Sequence, residues 1–164
     1  MQDCGGNHIR PGAIFPNCGR TWSRIATGNA IAKCFAMTRV LLVEDSADVL
    51  EVLQLELEGF GYEVLAFIDA REALKAAHRL CPDVIVSDLR MPGMDGFEFI
   101  KRIRKKPRLA AVPAVALTGT SMEHEIQEAL ACGFTTHITK PMEVRELANR
   151  IDELTAARRL RKAS

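Results

Sequence analysis

The chain alternates between short unbroken apolar runs and stretches in which apolar residues recur every three or four positions. Val40-Leu41-Leu42-Val43 is continuous, as a strand buried on both faces must be. Val49, Leu50, Leu53 and Leu57 follow at helical spacing, and Gly59 and Gly61 stop that pattern before a second strand at 62–66. Asp69 with Glu72 three positions later has the form of a capping box; it opens a helix whose apolar face is Ala73, Leu74, Ala77 and Leu80, ending at Cys81-Pro82. Val84-Ile85-Val86 predicts a third strand that runs into Ser87-Asp88. Turn formers at Pro92-Gly93 and Asp95-Gly96 precede a third helix with Phe97, Ile100 and Ile103 inward, and then a fourth strand at 114–117. Met122, Ile126, Ala129 and Leu130 mark a fourth helix closed by Gly133. A fifth strand is expected at about 135–138, and Val144, Leu147, Ala148, Ile151 and Leu154 form the inward stripe of a last helix.

Five strand–helix units in strict alternation predict an α/β fold, a five-stranded parallel sheet with helices on both faces. In such sheets ligands bind at the carboxyl ends of the strands. Those ends carry Glu44-Asp45, Asp88, Thr118 and, just past the fifth strand, Lys140. Taken singly each has an ordinary role, since a strand-end Asp commonly forms a turn or caps a helix and a lone Lys is commonly solvated. Their convergence on one edge points to chemistry. Three carboxylates in one place repel unless a cation lies among them, and oxygen-only ligands favour a hard ion such as Mg²⁺. A magnesium ion held by one or two carboxylates keeps positions open for phosphate oxygens. Lys140 offers a compact positive charge to another phosphoryl oxygen and the Thr118 hydroxyl a hydrogen bond to a third, which leaves Asp88 as the nucleophile.

Composition adds bounds to this picture. With 48% apolar and 26% charged residues, the chain sits near the globular average. Its net charge of +1 conceals an asymmetry: residues 1–36 carry Arg10, Arg20, Arg24 and Lys33 against Asp3 alone. That segment sustains no period and is rich in Gly, Pro and Asn, so it is expected to be a disordered, dispensable extension or an upstream start-site artefact, with Met37 the true start. Its stretch 25–37 is too short and too mixed to cross a bilayer, and a cytoplasmic protein is expected. The five cysteines, Cys4, Cys18, Cys34, Cys81 and Cys132, are odd in number and form no C-x-x-C pair, which fits reduced thiols. Cys4, His8, Cys18 and Cys34 match no familiar zinc spacing.

Val40-Leu41-Leu42-Val43-Glu44-Asp45-Ser46, Asp88-Leu89-Arg90-Met91-Pro92-Gly93-Met94-Asp95-Gly96, Leu117-Thr118-Gly119 and Lys140-Pro141, in that order, resemble the motifs of response-regulator receiver domains, over roughly residues 38–157. The resemblance implies a flavodoxin-like sheet of order 2-1-3-4-5 and transfer of a phosphoryl group from the phosphohistidine of a sensor histidine kinase to Asp88. It implies that Asp45, Asp88 and the backbone carbonyl of Arg90 ligate Mg²⁺, that Glu44 orients a water on the metal, and that Lys140 and Thr118 contact the phosphoryl group. It also implies a cis Lys140-Pro141 peptide. Two positions depart from the commonest pattern. Glu44 stands where Asp is frequent, which lengthens the reach by one methylene, and His137 stands where many receivers carry the Tyr or Phe that moves with the Thr. His137 is either a partner of Thr118 in that switch or a partly buried ring with no such role.

The domain is therefore expected to span 37–157, with 158–164 a short basic tail. No DNA-binding module is evident; Arg158, Arg159, Arg161 and Lys162 are read as meeting a helix dipole. Signalling by protein–protein contact, or relay to a histidine phosphotransfer protein, is expected, with the downstream target unspecified. The domain would catalyse only its own phosphorylation and dephosphorylation. A Mg²⁺-dependent aspartyl-phosphate phosphatase is an alternative, but those enzymes carry the nucleophile after the first strand. A flavin or nucleotide binder would place a Gly- or Ser/Thr-rich loop where Glu44-Asp45 stands. A degenerate receiver acting as a phosphorylation-independent binding module is a further alternative.

Overall fold

The computed structural model describes residues 37–119 and 121–163. The expectations for residues 1–36, and for Cys4, Cys18 and Cys34, lie outside the described residues. Cys81 and Cys132 are both partly buried.

Strand and helix alternate throughout: β1 (Arg39–Val43), α1 (Ala47–Gly59), β2 (Glu63–Phe67), α2 (Ala70–Leu80), β3 (Val84–Asp88), α3 (Gly96–Arg104), β4 (Ala114–Thr118), α4 (Glu123–Cys132), β5 (Thr136–Thr139) and α5 (Val144–Ala163). The strands form one sheet of order β2-β1-β3-β4-β5. Every pairing is parallel, with Leu42 opposite Val86 and Ala66, and Leu117 opposite Asp88 and Ile138. This is the flavodoxin-like arrangement the sequence led us to expect.

Side chains alternate along each strand, so the sheet feeds two cores. Leu41, Val43, Ile85, Ala114 and Ala116 pack with α2 and α3, while Val40, Leu42, Val84, Val86, Val115 and Leu117 pack with α1 and α5. The central strands β3 and β4 are buried at every position, which accounts for their unbroken apolar runs. On the helices Leu50, Leu53 and Leu57 are buried as expected, whereas Val49 lies 40% exposed. In α4 only Glu125, Ile126 and Ala129 are buried, and Met122, expected on the inward face, is exposed.

Three other local expectations are corrected. Asp69 caps α2 by accepting from the Arg71 N–H at 2.6 Å, but Glu72 pairs with Lys75 at 2.7 Å, so the reciprocal half of the capping box is not made. The fifth strand starts and ends one residue later than expected. The last helix continues to Ala163, so residues 158–163 are helix and not tail. Tertiary contacts hold those final turns: Arg158 donates to the Pro82 and Asp83 carbonyls at 3.3 and 2.9 Å, and Arg159 donates to the Thr38 hydroxyl at 3.0 Å. Among the described residues no helix is long and apolar enough to cross a membrane.

Candidate functional site

The strands end together at one edge because the backbone ladder is carried to its limit there. Glu44 N–H donates to the Phe67 carbonyl at 3.1 Å, Leu89 N–H to Leu117 at 3.1 Å, and Lys140 N–H to Thr118 at 2.7 Å. Each of these links sits one residue past a strand, and each fixes a residue of interest or its neighbour. Asp88 closes β3, Thr118 closes β4, and Lys140 follows β5 on a cis Lys140–Pro141 peptide.

Beyond Asp88 the chain must return to start α3 beside the strand it has just left. Gly96 makes this possible, since a Cβ there would lie 2.3 Å from the Asp88 carbonyl oxygen and 2.8 Å from Leu89 Cα. No side chain fits. Gly96 N–H donates to the Leu89 carbonyl at 3.0 Å, and Asp95 caps the helix by accepting from the Glu98 N–H at 2.8 Å. Met91 and Met94, both buried, anchor the loop between.

Carboxylate oxygens of Glu44, Asp45 and Asp88 lie within 4.8 Å of one another. Glu44 and Asp88 are 2% and 8% exposed, while Asp45 faces solvent. Lys140 Nζ bridges the two buried acids, 2.6 Å from Glu44 Oε2 and in short contact with Asp88 Oδ2. Asp88 Oδ1 accepts from the Arg90 N–H at 2.9 Å. Burial raises the Glu44 carboxyl above its ordinary range, opposed by the hydrogen bond and charge of Lys140. Burial acts to lower the Lys140 ammonium, but the hydrogen bonds and charges of Asp88 and Glu44 outweigh it and hold the group above its ordinary value.

The pocket suits a divalent cation. Three carboxylates against one ammonium leave a formal −2. Oxygens on one Mg²⁺ at about 2.1 Å lie at most about 4.2 Å apart, so the observed spread needs only a small side-chain adjustment. The Arg90 carbonyl belongs to the same loop as the Asp88-bound N–H. Thr118 is 1% exposed on the face covered by α2 and α3, and His137, opposite Ala116 on β5, lies half-buried on that same face. The structure thus brings Glu44, Asp45, Asp88, Thr118 and Lys140 to one edge, with His137 farther along β5, below its end. Glu125 was missed. It is a buried carboxylate on α4 whose signal was its place four before Ala129, on the inward stripe.

A doubly wound parallel sheet with an acidic pocket at its carboxyl edge, and no glycine-rich loop after β1, defines a flavodoxin-like protein whose strand-end carboxylates could hold a cation. Comparison with known proteins makes this specific: the model of the response regulator receiver domain matches residues 40–152, and the chain belongs to that family. It is 38% identical over 122 residues to an uncharacterized 14.6 kDa protein from the sodA1 3' region of Leptolyngbya boryana, covering 74% of this chain and 93% of that one. It is 34% identical to the alkaline phosphatase synthesis transcriptional regulatory protein PhoP of Bacillus subtilis, covering 69% of this chain and 46% of that protein; the chain spans about half the length of that regulator. Among solved structures, chemotaxis protein CheY4 of Vibrio cholerae superposes with a TM-score of 0.70 at 36% identity, over 73% of this chain and 99% of that one. The receiver domain of sensor histidine kinase PA1611 of Pseudomonas aeruginosa, solved with a magnesium ion coordinated in its active-site cleft, gives a TM-score of 0.69 at 29% identity, over 74% and 99%.

Proposed function

We propose that this receiver domain accepts a phosphoryl group on Asp88 from the phosphohistidine of a sensor histidine kinase or histidine phosphotransfer protein, with Mg²⁺ bound by Asp45, Asp88 and the Arg90 carbonyl and with Glu44 completing the pocket. One observation carries the reading: Asp88 sits at the centre of the strand-end edge, with Lys140 on one oxygen and the Arg90 N–H on the other.

Bound Mg²⁺ would neutralise charge on the transferring group and on the acidic pocket. An Asp88 carboxylate oxygen attacks phosphorus as the phosphorus–nitrogen bond breaks, and the departing imidazole takes up a proton. Lys140 then moves from Asp88 Oδ2 to a phosphoryl oxygen, which keeps its charge compensated. The Thr118 hydroxyl donates to another. Held by the Lys140 N–H to Thr118 carbonyl bond, these two residues respond together. His137, on the same face as Thr118, is the residue through which that response would reach β5. The new charge would bias the surface of α4, β5 and α5, and the output would be contact with another protein in the cytoplasm.

A phosphatase using the same chemistry is disfavoured by the position of Asp88 after β3, with the end of β1 held by Glu44 and Asp45. The test is intact mass after incubation with Mg²⁺ and acetyl phosphate, for wild type, for Asp88→Asn and with EDTA. A single phosphoryl adduct that needs both Asp88 and the metal is expected. A folded wild type without an adduct would instead make the chain a phosphorylation-independent binding module.

A further inference from the structure

Glu125 is a buried acid outside the strand-end pocket. Its side chain is 6% exposed, and Arg90 is its one side-chain partner among the described residues: Nε donates at 2.7 Å and a second guanidinium nitrogen is also in contact. The pair is asymmetric, because the Arg90 side chain is 76% exposed. The Arg90 guanidinium is already largely solvated, whereas Glu125 is not, and withdrawing the arginine would leave a buried carboxylate unpaired. The buried carboxylate therefore dictates where the arginine stays.

The same arginine reaches the phosphoacceptor through its backbone, since its N–H donates to Asp88 Oδ1 at 2.9 Å. Glu125, the Arg90 side chain, the Arg90 peptide and Asp88 form one continuous line of polar contacts from α4 to the acidic pocket. At its far end the line meets a helix that buries three of its ten residues, Glu125 among them.

We infer that Glu125 is a positioning residue for Asp88, acting through Arg90. By pinning the guanidinium it holds the loop after β3 so that the Arg90 N–H stays aimed at Oδ1, which fixes the carboxylate plane for attack. Coupling of this kind is reciprocal, so a change at Asp88 that displaces Arg90 also loosens α4. The inference rests on the reading of Asp88 as phosphoacceptor.

Glu125→Met is the variant of choice. It removes the carboxylate, suits a helix interior, leaves no buried charge unpaired and keeps Arg90 itself. Two quantities are read: the rate of adduct formation against acetyl phosphate concentration with Mg²⁺, and the amide resonance of Arg90 without either. The expected result is a saturating rate about fivefold lower at unchanged half-saturation, as for lost orientation of a bound reactant, together with an upfield shift of the Arg90 amide proton as its hydrogen bond lengthens. If either readout is unchanged in a variant that melts cooperatively, the inference is overturned. Should Glu125→Met fail to fold, Glu125→Gln, which keeps the shape and one acceptor, is read by the same two quantities. A wild type that forms no adduct speaks against Asp88 as phosphoacceptor; the amide shift then still decides whether Glu125 acts on the Arg90–Asp88 bond.

Discussion

Lys140→Met should move two properties of the site in opposite directions. Lys140 Nζ lies 2.6 Å from Glu44 Oε2 and in contact with Asp88 Oδ2, so it would compete with a bound Mg²⁺ for the same carboxylates. A divalent ion bound among those oxygens would come within about 5 Å of the ammonium. Repulsion between charges of +2 and +1 at that separation is about 7 kcal/mol for an effective dielectric of 20, and about 2 kcal/mol in water. The Lys140 side chain is 27% exposed and can swing towards solvent, which favours the lower figure. Removing it should therefore tighten Mg²⁺ binding by roughly ten- to thirtyfold, measured by calorimetric titration near neutral pH in physiological salt. The same variant should form adduct with acetyl phosphate at least about a hundredfold more slowly, because the cation proposed to receive a phosphoryl oxygen is gone. A misfolded variant would lose both properties. Unchanged or weaker Mg²⁺ binding in a folded Lys140→Met protein would refute the competition argument.

Other consequences can be read directly. Gly96→Ala forces a Cβ to 2.3 Å from the Asp88 carbonyl oxygen, so it should cost about 3 kcal/mol in urea denaturation and slow phosphorylation as well; a variant as stable as wild type would contradict the close approach. Arg104 donates to the carbonyls of Gly133 at 2.8 Å and of Leu109, Ala110 and Val112 at 3.1, 3.1 and 2.7 Å, at the sheet end away from Asp88. Arg104→Met should lower stability by about 2–3 kcal/mol while leaving adduct formation unchanged, a separation that urea melts and intact mass together can check. Tyr62, the chain's one tyrosine, is buried with its hydroxyl 3.0 Å from the Ala148 carbonyl and 2.9 Å from Asp152 Oδ1. Burial, and then the Asp152 carboxylate, push its ionisation upward, so its contribution to stability is whole below about pH 10 and is lost as the pH rises from there towards the folded-state value. Tyr62→Phe should cost about 1 kcal/mol near neutrality and flatten the alkaline fall in stability; phenolate absorbance of the folded wild type rising at the ordinary tyrosine pH would show the shift is absent.

The pattern of apolar residues was enough for the α/β class and its layers, though not for the strand order, which the family resemblance implied, because each strand of a parallel sheet buried on both faces must be an unbroken apolar run, and each covering helix must show its stripe. Val40–Val43 and Ala114–Leu117 are such runs. Once five strand–helix units alternate, the carboxyl edge is defined, and Glu44, Asp45, Asp88, Thr118 and Lys140 could be placed there from sequence alone. What the linear pattern did not contain was any interaction whose partner comes from a distant element. Glu125 reads as one more acid on a surface helix until Arg90, thirty-five positions earlier, is brought against it. The last turns of α5 read as a basic tail because their apolar stripe has ended, yet Arg158 and Arg159 are held by Pro82, Asp83 and Thr38. Glu72 matched a capping box by spacing, but Lys75 lay within reach on the same helix and took its carboxylate. Periodicity records which face of an element leaves water, a property of each segment by itself. Which charged groups meet inside depends on how the segments pack, and only the tertiary structure decides that.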